Sequence, residues 1–194
     1  MKNIQTDATD NELVERSKEN PDVFGELVSR YQNRLFYYVK RISYFSSEDI
    51  EDILQETFMK AYRSLNIFDG DLKFSTWIYQ IARNTTIDAI RKKQVRPQTV
   101  CFDTEDTVKL LKSDINIQIH TEAKDHLKII QDIINAMPYK YKEVMVLRFL
   151  EEKNYEEIMD IIQKPKGTVA ALINRGRKML LDEARNKFNI NELN

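Results

Sequence analysis

Between Glu48 and Phe58 the chain reads EDIEDILQETF, with five carboxylates, Glu48, Asp49, Glu51, Asp52 and Glu56, and no base among them. Carboxylates at this density could hold a divalent metal or divide general acid and general base roles. A hydrolase of that kind would draw on His120 or His126 to complete the set. The spacing opposes this. The two histidines are six residues apart, which does not stack them on one helical face, and they lie in or beside an acidic stretch of no sustained period. The single cysteine, Cys101, offers no thiolate cluster for zinc and no internal disulfide, which fits a reducing compartment. No catalytic residue, metal site or cofactor is expected.

A second kind of chemistry is written in the bases. The net charge of -1 hides two basic segments. From Lys73 to Gln98 six bases face one acid, and from Lys164 to Lys187 seven face two, a balance of +5 in each. Separated basic patches of this kind suit nucleic acid. In the first, Arg83, Arg91, Lys92 and Lys93 can grip phosphates, while the Asn84 amide offers both donor and acceptor to a base edge. In the second, NYEEIMDIIQKPKGTVAALINRGRKML reads as a helix, a turn containing Pro165 and Gly167, and a second helix, the form of a helix-turn-helix. Val169, Ile173, Gly176 and Leu180 share one side of that second helix. Lys166, Ala170, Ala171, Asn174, Arg175 and Lys178 face outward or flank it. Lysine and arginine would hold phosphates, and Asn174 and Arg175 are the types that read bases in a major groove.

The elements that must position these groups are helices throughout, in an all-α chain of two small helical domains. Few Gly and Pro, 42% hydrophobic residues and 31% charged residues in 194 positions support a folded helical protein. Asp10 is expected to cap a helix ending near Asn20. Pro21 then opens a helix carrying Val23, Phe24, Leu27, Tyr31, Leu35, Tyr38, Val39 and Ile42 at helical spacing. Ser46 caps a third helix, whose inner face is Ile50, Ile53, Leu54, Thr57, Phe58 and Ala61. Ser75 or Thr76 caps a fourth, in which Trp77 is better read as core than as a base-stacking platform. The first domain closes by residue 97. Residues 98–124 hold five acids against three lysines and form an irregular linker, and a smaller domain follows over 125–188. Its apolar period begins at Leu127, stops at Pro138 and resumes to Leu150. The N-terminus lacks the apolar run of a secretory signal, and no stretch approaches the roughly 20 apolar residues that span a bilayer. A cytoplasmic protein without membrane insertion is expected.

Five blocks in order, VFGELVSRYQNRLFYYV, EDIEDILQETFMKAYRSL, FSTWIYQIARNTTIDAIRKK, AMPYKYKEVMVLRF and YEEIMDIIQKPKGTVAALINRGRKML, closely resemble the bacterial RNA polymerase sigma factors of the sigma-70 family, and among them the small two-domain extracytoplasmic-function (ECF) group. The match covers nearly everything from Leu13 to Lys187. The resemblance implies a region 2 domain over 10–97 and a region 4 helix-turn-helix domain over 125–188. The first would bind the clamp helices of the largest polymerase subunit and recognise and melt the minus-ten element. The second would dock at the minus-thirty-five element and touch the flap of the second-largest subunit.

By position, Asp52, Gln55 and Glu56 match the clamp-binding helix, and Asn84 matches the residue that captures a flipped base. The turn with Phe68, Asp69, Gly70 and Lys73 lies near that capture site. The implied minus-ten set is Lys73, Arg83, Asn84, Arg91, Lys92 and Lys93. The implied minus-thirty-five set is Lys166, Thr168, Ala170, Ala171, Asn174, Arg175 and Lys178. An anti-sigma protein is a common partner in the group. One departure is visible: Ala170, Ala171 and Leu172 stand where many members carry basic or hydroxyl residues, so the usual minus-thirty-five sequence does not carry over. A promoter-binding regulator that never enters polymerase would share the helix-turn-helix, but it would have no use for the N-terminal domain. That domain also accounts for the opening acids. On a helical wheel Asp52, Gln55 and Glu56 face outward with Met59 among them, an apolar group on a polar face, as a protein partner would require.

Overall fold

The computed structural model describes residues 8–68, 70–93 and 132–188, and among these every regular element is a helix. The chain divides into two compact units, Met1–Val39 with Phe45–Gln94 and Lys40–Tyr44 with Val95–Asn194. The expected linker, Cys101, both histidines and Asp69 lie outside the described residues, as do Leu127 and Ile130 at the start of the later apolar period.

The first unit opens with α1 (Asp10–Glu19). Its N-cap is Thr9, not Asp10. Thr9 Oγ1 accepts from the Glu12 N–H at 3.3 Å, and Glu12 Oε2 accepts from the Thr9 N–H at 2.7 Å, closing a capping box. The Asp10 carboxylate is thereby free to bind the second helix, α2 (Phe24–Ile42), through Arg30 at 2.9 Å and through the Tyr31 hydroxyl. Burial, and then the hydrogen bond to Asp10, push the Tyr31 phenol far above its ordinary range. Between the helices, Pro21 opens a short 3-10 turn, Pro21–Val23. Phe24, Leu27, Tyr31, Leu35, Tyr38 and Val39 are buried as the period required.

Ser46 caps α3 (Ser47–Arg63), accepting from the Asp49 N–H at 3.2 Å. Ile50, Ile53, Leu54, Thr57 and Ala61 are buried, while Phe58 is half-buried. The fourth helix, α4 (Phe74–Lys93), starts before the Ser75 or Thr76 cap expected for it. The Lys73 carbonyl accepts its first bonds, from Thr76 N–H at 2.9 Å and Trp77 N–H at 3.1 Å. The cause is aromatic. Phe74 is buried, with its ring 5.4 Å from Tyr31, 6.0 Å from Phe68 and 5.8 Å from Trp77, so this residue must already sit on the helix. Helices α3 and α4 pack on each other, and Thr57, Thr85 and Thr86 are buried within them. Thr57 donates to the Ile53 carbonyl and Thr86 to the Ala82 carbonyl, each at 2.7 Å, so these two hydroxyls are satisfied within their own helices.

In the second unit, residues 132–136 are helical with Ile133 and Ile134 buried. Pro138 precedes α5 (Tyr139–Met145), which widens into a π-helical segment, Val146–Leu150. Next come α6 (Tyr155–Ile162) and α7 (Lys166–Phe188), and α7 packs on both α5 and α6. The turn between α6 and α7 is not built on Gly167. Gln163 takes the left-handed conformation, φ 53° and ψ 52°, and the Lys164 N–H returns to the Met159 carbonyl at 3.2 Å. The Pro165 carbonyl then accepts from Thr168 and Val169, which places Gly167 in the first turn of α7. Val169, Ile173, Gly176 and Leu180 form the buried face of α7, as the spacing predicts. At Gly176 a Cβ would lie 2.9 Å from Met145 Cγ and 3.0 Å from Sδ, so any side chain there would force Met145 to shift.

Asn154 and Glu157 form a second capping box at α6, with both bonds at 2.9 Å. Replacing Asn154 with alanine is expected to cost about 1 kcal/mol. It should therefore speed hydrogen exchange at the α6 amides several-fold; unchanged exchange would refute the cap.

Candidate protein and nucleic-acid interfaces

Helix α3 presents Asp52, Gln55, Glu56 and Met59 on one stripe, at spacings of three and four residues. Asp52 and Gln55 are exposed, Glu56 is half-exposed, and Met59 is 51% exposed. Two bases from outside the EDIEDILQETF stretch complete its electrostatics. Lys60 Nζ pairs with Glu56 Oε1 at 2.8 Å and reaches Thr85 Oγ1 on α4 at 3.3 Å. The hydrogen bond to Lys60 holds the Glu56 carboxyl below its ordinary range, outweighing the opposing effect of burial. Asp49 pairs instead with Lys93 at the far end of α4, and that bond holds its carboxyl below the usual range as well. The Lys60 pairing was legible as an i, i+4 Glu-to-Lys step. Nothing local in the sequence announces Lys93.

On α4 the residues Trp77, Gln80, Asn84, Asp88 and Arg91 fall at intervals of three and four and make one outward stripe. Lys73, in the turn that follows Gly70 (φ +79°), lies at the start of this stripe. Asn84 and Arg91 are exposed, and Arg83 Nη1 reaches Asn84 Oδ1 at 3.5 Å. Arg91 lies 3.5 Å from Asp88. Trp77 is half-buried, its ring 4.9 Å from Phe68 and 5.8 Å from Phe74, so it packs against core aromatics from the same line as Asn84. Arg83 and Lys92 flank the stripe on either side. Lys93 does not belong to it: nine residues beyond Asn84, about two and a half turns, it emerges on the side of α4 that faces α3.

On α7 the residues Lys166, Thr168, Ala171, Asn174, Arg175 and Lys178 are exposed, and Ala170 is half-buried. Arg175 is bound to α5. A hydrogen bond from its guanidinium, joined by Lys140, holds the Tyr141 phenol below its ordinary range, and Lys140 Nζ lies 4.9 Å over the same ring. Among the described residues no group of His, Cys, Asp and Glu is placed to hold a metal ion, and no helix is long and apolar enough to cross a membrane.

Among the described residues, which are helical throughout their regular elements, an acidic, partly apolar helix face and a helix-turn-helix with exposed bases are surfaces of the kinds that suit a protein partner and nucleic acid. Residues 27–96 match Sigma-70 region 2, and residues 127–180 match Sigma-70, region 4. The chain belongs to the sigma-70 family of RNA polymerase sigma factors, in its ECF group. It is 37% identical over 178 residues to the ECF RNA polymerase sigma-E factor of Haemophilus influenzae, covering 89% of this chain and 93% of that one. The sigma-E factor of Escherichia coli K12 is 34% identical over 181 residues, covering 89% and 92%. Among solved structures, CnrH in complex with the cytosolic domain of CnrY matches with a TM-score of 0.62 at 21% identity, over 88% of this chain and 93% of that one. The sigma factor RpoE of Bartonella quintana, in complex with the anti-sigma factor NepR, matches with a TM-score of 0.60 at 18% identity, over 84% and 96%. Both support the fold. As an ECF sigma factor, the chain directs transcription initiation.

The Glu56–Lys60 pair makes a pH prediction. Because the folded carboxyl titrates below its ordinary value, the pair's contribution to stability is present above the ordinary carboxylate range and is lost as pH falls through the lowered value. In an NMR titration, Lys60→Met should move the Glu56 midpoint upward. A midpoint that stays in place would contradict the assignment.

Proposed function

We propose that the outer stripe of α3, Asp52, Gln55, Glu56 and Met59, docks on the clamp helices of the largest subunit of core RNA polymerase. The observation that carries this is Met59, half-exposed on a charged face where solvation alone gives it no role. Burying such a side chain against a partner stabilises the complex by about 1.5–3 kcal/mol, and the carboxylates around it set orientation and encounter rate.

Along α4 and the turn before it, Lys73, Arg83, Arg91 and Lys92 grip the phosphates of the minus-ten element while Asn84 captures an unstacked base. Flipping a base costs a few kcal/mol, which a preformed amide site and a basic groove offset without nucleotide hydrolysis, a metal or a cofactor. The factor is thus a specificity subunit and not an enzyme. Lys93 is set apart from this group, because Asp49 holds it on the other side of α4.

In the second unit, Lys166, Thr168, Asn174, Arg175 and Lys178 dock α7 at the minus-thirty-five element. Ala170 and Ala171 contribute apolar contacts of the kind that suit thymine methyls. The same unit touches the polymerase flap. The domains act as region 2 over 10–97 and region 4 over 125–188, joined by 98–124, in the cytoplasm. An anti-sigma protein that covers these faces is a fitting partner, as NepR is for the Bartonella quintana factor.

Reversing charge at Asp52 and Glu56 together should weaken binding of the intact chain to core polymerase by about tenfold or more while its thermal unfolding is unchanged. Unaltered affinity would refute the docking face. Asn84→Ala should leave core binding intact and reduce strand opening at a promoter, read by permanganate reactivity of unpaired thymines. Full opening would remove Asn84 from the capture role.

A further inference from the structure

The three consecutive bases that end α4 differ in what holds them. Arg91 meets Asp88 at 3.5 Å with both side chains largely exposed, and Lys92 is exposed. Lys93 is bound on two sides. Its ammonium donates to Asp49 Oδ1, and it sits 5.5 Å over the Phe45 ring. Asp49 is itself anchored, since its N–H is capped by Ser46 in the first turn of α3, where the helix dipole favours a carboxylate. We propose that Asp49 withholds Lys93 from DNA, subtracting one cation from the nucleic-acid-binding end of α4 and so limiting sequence-independent binding.

This inference rests on the reading of α4 as the minus-ten helix. Every cation placed against a phosphate strengthens binding to all sequences alike, whereas Asn84 discriminates. Neutralising one cation at the helix end therefore weakens binding to promoter and non-promoter DNA alike, which lowers the affinity for competing sites and leaves discrimination to Asn84. Asp49 stays ionised throughout the physiological range, so the restraint is constant. The site is also open to solvent, with side-chain exposures of 50% at Lys93 and 32% at Asp49, so a phosphate could reach Lys93 if the carboxylate were absent.

The test uses the intact chain assembled with core polymerase and measures binding to a promoter fragment and to a scrambled fragment of equal length across a salt series. Asp49→Asn should tighten binding to the scrambled fragment several-fold at low salt and steepen its salt dependence by about 0.9 in the log–log slope, one added phosphate contact. Asp49→Ser should do the same, guarding against a local effect of the asparagine. Lys93→Gln should abolish the gain in the Asp49→Asn background and change little alone. An unchanged slope in both Asp49 variants would overturn the proposal, as would a Lys93→Gln loss equally large in either background. Arg91→Gln and Lys92→Gln separate the two failures. If they weaken DNA binding while the Asp49 variants do nothing, only this inference falls; if none of the four has any effect, the minus-ten reading of α4 falls with it.

Discussion

The packing of α3 against α4 is the constraint on which the first unit depends. The two helices pack along a seam, and their buried residues are Ile50, Ile53, Leu54, Thr57 and Ala61 on α3 and Phe74, Thr76, Ile78, Tyr79, Ala82, Thr85 and Thr86 on α4. Threonines in that seam are tolerable because Thr57 and Thr86 bond their own helix carbonyls at 2.7 Å, which removes the penalty of an unpaired buried hydroxyl. Two helices whose axes lie roughly 8–10 Å apart necessarily turn their outer faces away from each other. One outer face can then be acidic and the other basic without mutual neutralisation. A DNA-binding protein can in this way carry EDIEDILQETF: Asp52 and Glu56 stand on the outer side of α3, while Asp49 is turned to Lys93 on α4.

Separation of the faces is not isolation. Lys60 spans from Glu56 on the α3 stripe to Thr85 on α4, and Asp49 reaches Lys93. Exposed pairs of this sort contribute little to stability. Their weight lies in charge placement: they decide which carboxylates and which ammonium groups remain for a partner. Asp52 stays exposed on the outer stripe of α3, Asp49 is drawn toward α4, and Lys93 is drawn toward Asp49 on the side of α4 away from Asn84.

In the second unit the corresponding constraint is the approach of α7 to α5. Gly176 lets the helices come close enough that any Cβ would press on Met145, and the left-handed Gln163 turns the chain sharply into α7. Arg175, next to Gly176, is tied to Tyr141. The exposed surface that remains is sparse where Ala170 and Ala171 stand. The face of α7 thus combines the exposed polar groups Asn174, Arg175 and Lys178 with small apolar ones.

What the sequence disclosed follows its periodicities. The buried faces of α2, α3 and α7 were legible because apolar residues at steps of three and four can serve only one side of a helix. The exposed Met59 was legible for the same reason, as the residue that breaks the rule. Local competition hid other features. Thr9 outranked Asp10 as a cap because Glu12 completes a box with it, the burial of Phe74 pulled α4 forward, and the turn expected to contain Gly167 ends before it, at the left-handed Gln163 and Pro165. The Asp49–Lys93 and Tyr141–Arg175 pairings were invisible for a deeper reason: tertiary packing brings those residues together, and no local pattern encodes it. The measurement that tests the account most directly is a photo-crosslink. A photoreactive phenylalanine analogue replacing Met59, in the factor assembled with core polymerase and promoter DNA, is predicted to join the largest polymerase subunit. A crosslink to DNA, or none in a transcribing complex, would contradict the division of α3 and α4 into a protein face and a DNA face.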